Sequence, residues 1–361
     1  MKLSLFFVLA AGLASMQGCN SMIRTPAAHA SQSRSSSSSK PPDKPIADYQ
    51  QLILQKYEQE DFTWLSSEAS RTRSGKERLP GGYWKLRAFY DAVGQPAPAD
   101  QSDRGWERVF TRLARWRQQQ PKDATPLIAL ASAWFNYGWE ARGDGYASSV
   151  SNSAWADFQK RLGTAAQWLE KAQTLNEGDP EFCHQALLVG RSLQWDRSVL
   201  ERYFAAGTAL EPTYYYLYQQ KAVYLLPRWG GREGEWEQFA DQAANRIGGE
   251  QGDVVFFAIY SLMKQMHNIN FLIFHRQAAP RIVAGFRVIE RLYGASPRRV
   301  NEACMASLLT DDPKTTAELL ARADQDLDEE LWEGRQRFEE LRNEFWQQQK
   351  ASQTSAAGAK H

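Results

Sequence analysis

Apolar positions recur at helical spacing through most of this chain. Trp106, Phe110, Leu113 and Trp116 fall at i, i+4, i+7 and i+10. Phe158, Leu162, Ala165, Leu169 and Ala172 form a second stripe, Leu200, Phe204 and Leu210 a third, and Ile282, Phe286, Ile289 and Leu292 a fourth. A period near 3.6 gathers such residues on one helix face. Four places set a capping side chain before a proline: Thr125-Pro126, Asp179-Pro180, Ser296-Pro297 and Asp312-Pro313. The cap oxygen takes a free backbone N–H, and proline has no N–H to leave unpaired at the first helical position. Val254 to Phe257 is β-prone locally, but the apolar run continues to Met263 and reads as a buried helix. Near the end, Leu327, Leu331, Phe338, Leu341 and Phe345 make a near-heptad seam with Gly334 at the missing step and acidic residues outside it. The pattern predicts an all-α fold of stacked helical hairpins, a tetratricopeptide-like α-solenoid, with an irregular helical bundle as the alternative. Ala165-x3-Leu169-x2-Ala172 followed by Pro180, echoed by Phe204 and Pro212, motivates the repeat.

The first residues read as an address and not as fold. Lys2 precedes the apolar run Leu3 to Leu13, which is short for a bilayer span of about 20 residues. Met16-Gln17-Gly18-Cys19 then resembles a bacterial lipoprotein signal: Gly18 and Cys19 match, and Gln17 departs from the pattern. The resemblance implies a signal peptide over 1–18 and lipidation of Cys19. The alternative is an ordinary secretory signal cut near Ala28 or Ala30. Asn20, where Asp would favour the inner membrane, leans towards an outer-membrane lipoprotein facing the periplasm; a soluble periplasmic protein is the alternative. Residues 19–45, rich in Ser and Pro, read as a flexible tether, 46–350 as the helical domain and 351–361 as a disordered tail.

Composition narrows the function classes. Of 361 residues, 43% are hydrophobic and 24% charged, an ordinary globular balance. The net charge of +1 gives no global electrostatic reason to bind nucleic acid. The 13 tryptophans stand out, and aromatic residues crowd at Trp134, Phe135, Tyr137 and Trp139 and at Tyr214, Tyr215, Tyr216 and Tyr218. Such crowding makes a helix aromatic on several sides, as core filling or as a cavity wall. No zinc, P-loop or nucleophile-elbow motif occurs, and no cofactor is implied. Cys183 and Cys304 are expected as buried free thiols, a bridge being the alternative.

Three segments carry a narrower signal: Leu79 to Leu86 (LPGGYWKL), Ala141 to Ala147 (ARGDGYA) and Leu226 to Gly231 (LPRWGG). Their order and spacing resemble an uncharacterised bacterial family catalogued as domain of unknown function 4034, over residues 47 to 270. The resemblance implies a tetratricopeptide-like helical fold and assigns no catalytic residue. Physically, Gly81-Gly82 and Gly230-Gly231 suit joints between helices. Trp229 then reads as an aromatic plug with Arg228 on helix C-terminal carbonyls. The functional alternative is a binding groove walled by Arg142, Tyr146, Arg228 and Trp229.

The first functional reading is a lipid-anchored scaffold binding another envelope protein or a peptide. A second is an envelope glycan or ester hydrolase using Glu140 and Asp144 beside Trp139 and Tyr146. A third is a periplasmic immunity protein against a toxin.

Overall fold

The computed structural model describes residues 43–97, 100–143, 150–175 and 178–358. The expected signal peptide, Cys19, nearly all of the tether, Asp144 and Tyr146 lie outside them. The fold is all-α, with sixteen helices and a single two-residue strand pairing among the described residues. An N-terminal unit holds α1 (Lys44–Glu58), α2 (Phe62–Gly75), strands β1 (Arg78–Leu79) and β2 (Tyr83–Trp84), and α3 (Lys85–Val93). Then follow α4 (Asp103–Gln119), α5 (Thr125–Arg142), α6 (Asn152–Gln173), α7 (Pro180–Ser192), α8 (Arg197–Leu210) and α9 (Tyr215–Tyr224). The chain continues through α10 (Glu235–Ile247), α11 (Gly249–Gln265), the short α12 (Phe271–Phe274), α13 (Ala279–Tyr293), α14 (Pro297–Ser307), α15 (Pro313–Gln325) and α16 (Arg335–Gly358). The last helix thus runs past residue 350, through a segment the sequence assigns to a disordered tail.

Each prolyl start opens a helix, but the caps differ. Asp179 accepts from Glu181 N and Asp312 from Thr315 N, as the pattern predicts. Thr125 lies inside α5, and its own N–H is taken by Asp123. Ser296 makes no capping bond, because its hydroxyl is buried against the turn of the N-terminal hairpin.

Consecutive helices pack against one another: α4 with α5, α5 with α6, α7 with α8, α10 with α11, α13 with α14, α14 with α15. Within this stack α5 touches α7, α7 touches α9 and α9 touches α11, so these form an inner layer, with α6, α8 and α10 outside it. Inner helices are buried nearly all round: Val254 to Ser261 of α11 are all buried, which explains the long apolar run. Outer helices bury one stripe, Phe158, Leu162, Ala165, Leu169 and Ala172 in α6. Helices α11 and α13 approach so closely that a Cβ at Gly285 would stand 2.3 Å from Asp253 O. The C-terminal seam is buried at Leu327, Leu331, Phe338 and Phe345, yet it is not one helix: residues 326–334 turn, and α16 begins after Gly334.

The N-terminal unit lies across this stack. Arg73 reaches Thr125 at 3.4 Å and Asp179 at 2.7 Å. Lys76 pairs with Glu211 at 2.7 Å, and Trp84 meets Tyr214 edge-on at 4.8 Å. Gly81 N donates to Gly294 O at 2.9 Å, and Arg299 Nε donates to Gly81 O at 3.3 Å. The unit therefore touches the starts of α5, α7, α9 and α14 in turn. The Leu79-to-Leu86 segment, expected as a joint between helices, is a β-hairpin that pairs Leu79 with Tyr83. Gly81 stands at φ 78° at its tip, where a side chain would be strained.

Candidate functional site

Between the N-terminal unit and the inner layer lies a cleft of ≈ 470 Å³. Its lining comes from α1 (Ile46, Gln50), the hairpin (Tyr83, Trp84), α3 (Arg87, Asp91), α5, α7, α9, α11 and α14. That volume lies in the range of small-ligand sites. Helical spacing aims the polar residues inward. On α7, Glu181, His184, Gln185 and Leu188 share one face, and all four are buried. On α9, Tyr215, Tyr216, Gln219 and Gln220 turn to the cleft, and on α11 Ser261, Leu262 and Gln265 do.

At one wall Glu181, fully buried, gathers four donors. Its Oε1 takes Arg87 Nη1 at 2.6 Å, Gln185 Nε2 at 2.7 Å and His184 Nδ1 at 3.0 Å; its Oε2 takes the Tyr214 hydroxyl at 2.5 Å. A carboxylate only accepts, so the Nδ1 proton of His184 points to it. Burial alone would raise the Glu181 carboxyl, but the charges of His184 and Arg87 and the hydrogen bonds from His184 and Tyr214 outweigh it and hold the group at about 2. Burial pushes His184 below its usual range, against the pull of the Glu181 carboxylate. Two residues earlier, Asp179 takes Arg73 and the Tyr90 hydroxyl at 2.7 Å each. At the opposite wall Arg299 donates to Ser261 Oγ at 2.6 Å and Glu302 at 2.7 Å, and Arg298 pairs with Asp328 at 3.1 Å.

Two polar atoms on the lining, Gln185 Oε1 and Trp84 Nε1, are buried without a partner. A buried polar atom left unpaired costs free energy that a ligand's complementary group would return. The two aromatic clusters divide: Phe135, Tyr215 and Tyr216 line the cleft, whereas Trp134 stacks with Phe110 at 4.1 Å on the far side of α5.

Of the groove residues read from the sequence, Arg142, Arg228 and Trp229 are described, and none lines this cleft. Arg142 ends α5 with its guanidinium 5.1 Å from Trp139 and 5.4 Å from Trp155. Arg228 is exposed on the turn after α9, and Trp229 beside it is half-buried, between the plug and the open wall that the sequence allows. The cleft arginines, Glu181, His184 and the glutamines were missed. The available signal was polar residues at i, i+4 within otherwise apolar helices, as in Glu181-x3-Gln185 and Ser261-x3-Gln265. Glu140, a candidate for acid–base work, accepts Trp106 Nε1 at 2.6 Å.

Cys183 and Cys304 are buried free thiols, and burial pushes the Cys183 thiol up to about 12. Among the described residues no group of three or more His, Cys, Asp and Glu side chains is placed to hold a metal, and no helix is long and apolar enough to cross a membrane. No family model, no curated protein and no solved structure matches the chain.

Proposed function

We propose that this chain is a lipid-anchored envelope scaffold whose cleft holds an extended, uncharged stretch of another protein or peptide. The lining carries that reading. Six carboxamides face the cleft: Gln50, Asn136, Gln185, Gln219, Gln220 and Gln265. A carboxamide offers both a carbonyl acceptor and N–H donors, so it can pair with the one N–H and the one C=O of a peptide unit. The three lining arginines, Arg87, Arg298 and Arg299, are matched by Asp43, Asp91 and Asp328, so the cleft asks for no net ligand charge. Tyr215 and Tyr216 add flat contact area with a polar tip. The stacked hairpins are read as tetratricopeptide-like, binding without covalent chemistry.

Calorimetry with capped neutral tetrapeptides tests the cleft, with chitin oligomers in parallel. Saturable peptide binding, weakened about tenfold by Gln265→Leu through one lost hydrogen bond, supports the reading. Binding of the sugars alone would replace the peptide with a glycan. The anchor rests on Gly18-Cys19 after the apolar run. Fatty-acid labelling of cells should mark the wild-type chain and not Cys19→Ser; label retained in the variant sinks the anchor.

A further inference from the structure

The cleft face of α7 continues beyond the cleft. His184 and Leu188 line it, and Arg191 follows three residues later on the same face. Arg191 Nη1 donates to Gln220 Oε1 at 3.1 Å, and Gln220 is itself a lining residue. The guanidinium lies 5.1 Å from the ring of Trp229, beside the exposed Arg228. Neither arginine has a carboxylate partner among the described residues. Glu201 of α8 and Glu235 of α10 are engaged elsewhere, with Lys221 and with Arg197, each at 2.5 Å. Arg191 Nε and Trp229 Nε1 are both buried donors without an acceptor.

Half-buried Arg87 and buried Arg299, by contrast, each meet a glutamate. An ion taken out of water needs a counter-charge, and stacking on an indole compensates only part of that cost. Arginine cannot escape by losing its proton at neutral pH. Burial, with the like charge of Arg228, pushes Arg191 down to about 10, which leaves it charged there. A neutral peptide in the cleft would not supply the missing charge.

We propose that Arg191 and Arg228, with the indole N–H of Trp229, form an oxyanion-binding site at the rim of the cleft, for a carboxylate or a phosphate group. Three kinds of donor are neighbours there: a buried Nε, an exposed guanidinium, and an indole N–H. Charge-assisted hydrogen bonds from guanidinium to such groups are among the stronger ones available to a protein. The site is independent of what fills the cleft.

The test follows the indole N–H resonance of Trp229 in the full chain, assigned with Trp229→Phe. Inorganic phosphate and acetate are titrated separately against chloride at constant ionic strength. The resonance should move saturably with at least one of the two anions and not with chloride. A response to phosphate alone identifies a phosphate site, and a response to acetate a carboxylate site. Arg228→Gln, an exposed change that keeps the fold, should weaken that response about tenfold. Arg191→Met, which preserves the stem over the indole, should abolish it. A resonance unmoved by either anion, or moved equally in wild type and Arg228→Gln, overturns the site.

Discussion

Glu181→Ala should cost about 3–5 kcal/mol in a denaturant melt, the range for removing one partner of a buried ion pair. The expectation is large because four donors converge on this carboxylate, from Arg87 on α3, Tyr214 before α9, and His184 and Gln185 on α7 itself. Removing it leaves Arg87 with Asp91 alone, at 2.6 Å, and strands the buried Tyr214 hydroxyl and Gln185 amide. Against a total stability of roughly 5–15 kcal/mol, that is a large share.

The pH dependence supplies an independent check. Glu181 is held down at about 2 from an ordinary 4.5, so the unfolded chain takes its proton first. Its contribution is complete above pH 4.5 and is lost as pH falls towards 2. His184 is also held down, here by burial from an ordinary 6.5. Its contribution is complete above 6.5 and falls as acid protonates the unfolded chain preferentially. Both groups make the protein less stable in acid. Glu181→Ala should flatten the dependence between pH 4.5 and 2 and keep the loss that begins below 6.5. An unchanged slope in the lower window, or a midpoint within about 1 kcal/mol of wild type, would show that Glu181 is not the hub of this wall.

The helical stripes were legible because each is a local pattern: a period of 3.6 needs only neighbours in sequence. The same holds for Asp179 and Asp312, whose capping bonds span two and three residues. What escaped the sequence depends on distant partners. Ser296 looks like a cap, but its hydroxyl is buried against Gly81, more than two hundred residues earlier. Gly81-Gly82 carries the positive φ that the residues suggest, yet whether it joins helices or turns a hairpin is settled by docking on Gly294 and Arg299. Glu181 and His184 look like ordinary helix polarity until Arg87, 94 positions before Glu181, is set against them. Trp134 and Tyr216 sit in similar aromatic runs, and only packing sends one to the outer stack and the other to the cleft.

Arg299→Met should cost about 3 kcal/mol, near the lower end for breaking a buried pair, because Glu302 keeps Arg298 at 3.6 Å and the Ser261 hydroxyl at 2.7 Å. The residue is 3% exposed and ties the far end of the stack to the N-terminal hairpin. It donates to Gly81 O, and its guanidinium lies 4.5 Å from the Tyr83 ring and 5.3 Å from Phe257. Methionine keeps the stem against those rings and removes only the charge and its donors. The damage should therefore come from the uncompensated glutamate rather than from a cavity. Adding Glu302→Leu to Arg299→Met separates the two causes. A buried pair exchanged for apolar groups of similar volume is often near neutral, so the double variant should return to within about 1–2 kcal/mol of wild type. The remaining deficit is the Ser261 hydroxyl and Gly81 carbonyl, which no longer have Arg299. Denaturant melts of the single and double variants decide the matter. A double variant less stable than Arg299→Met would mean that shape, and not charge, holds the hairpin on α14, and that the wall of the cleft is built by packing alone.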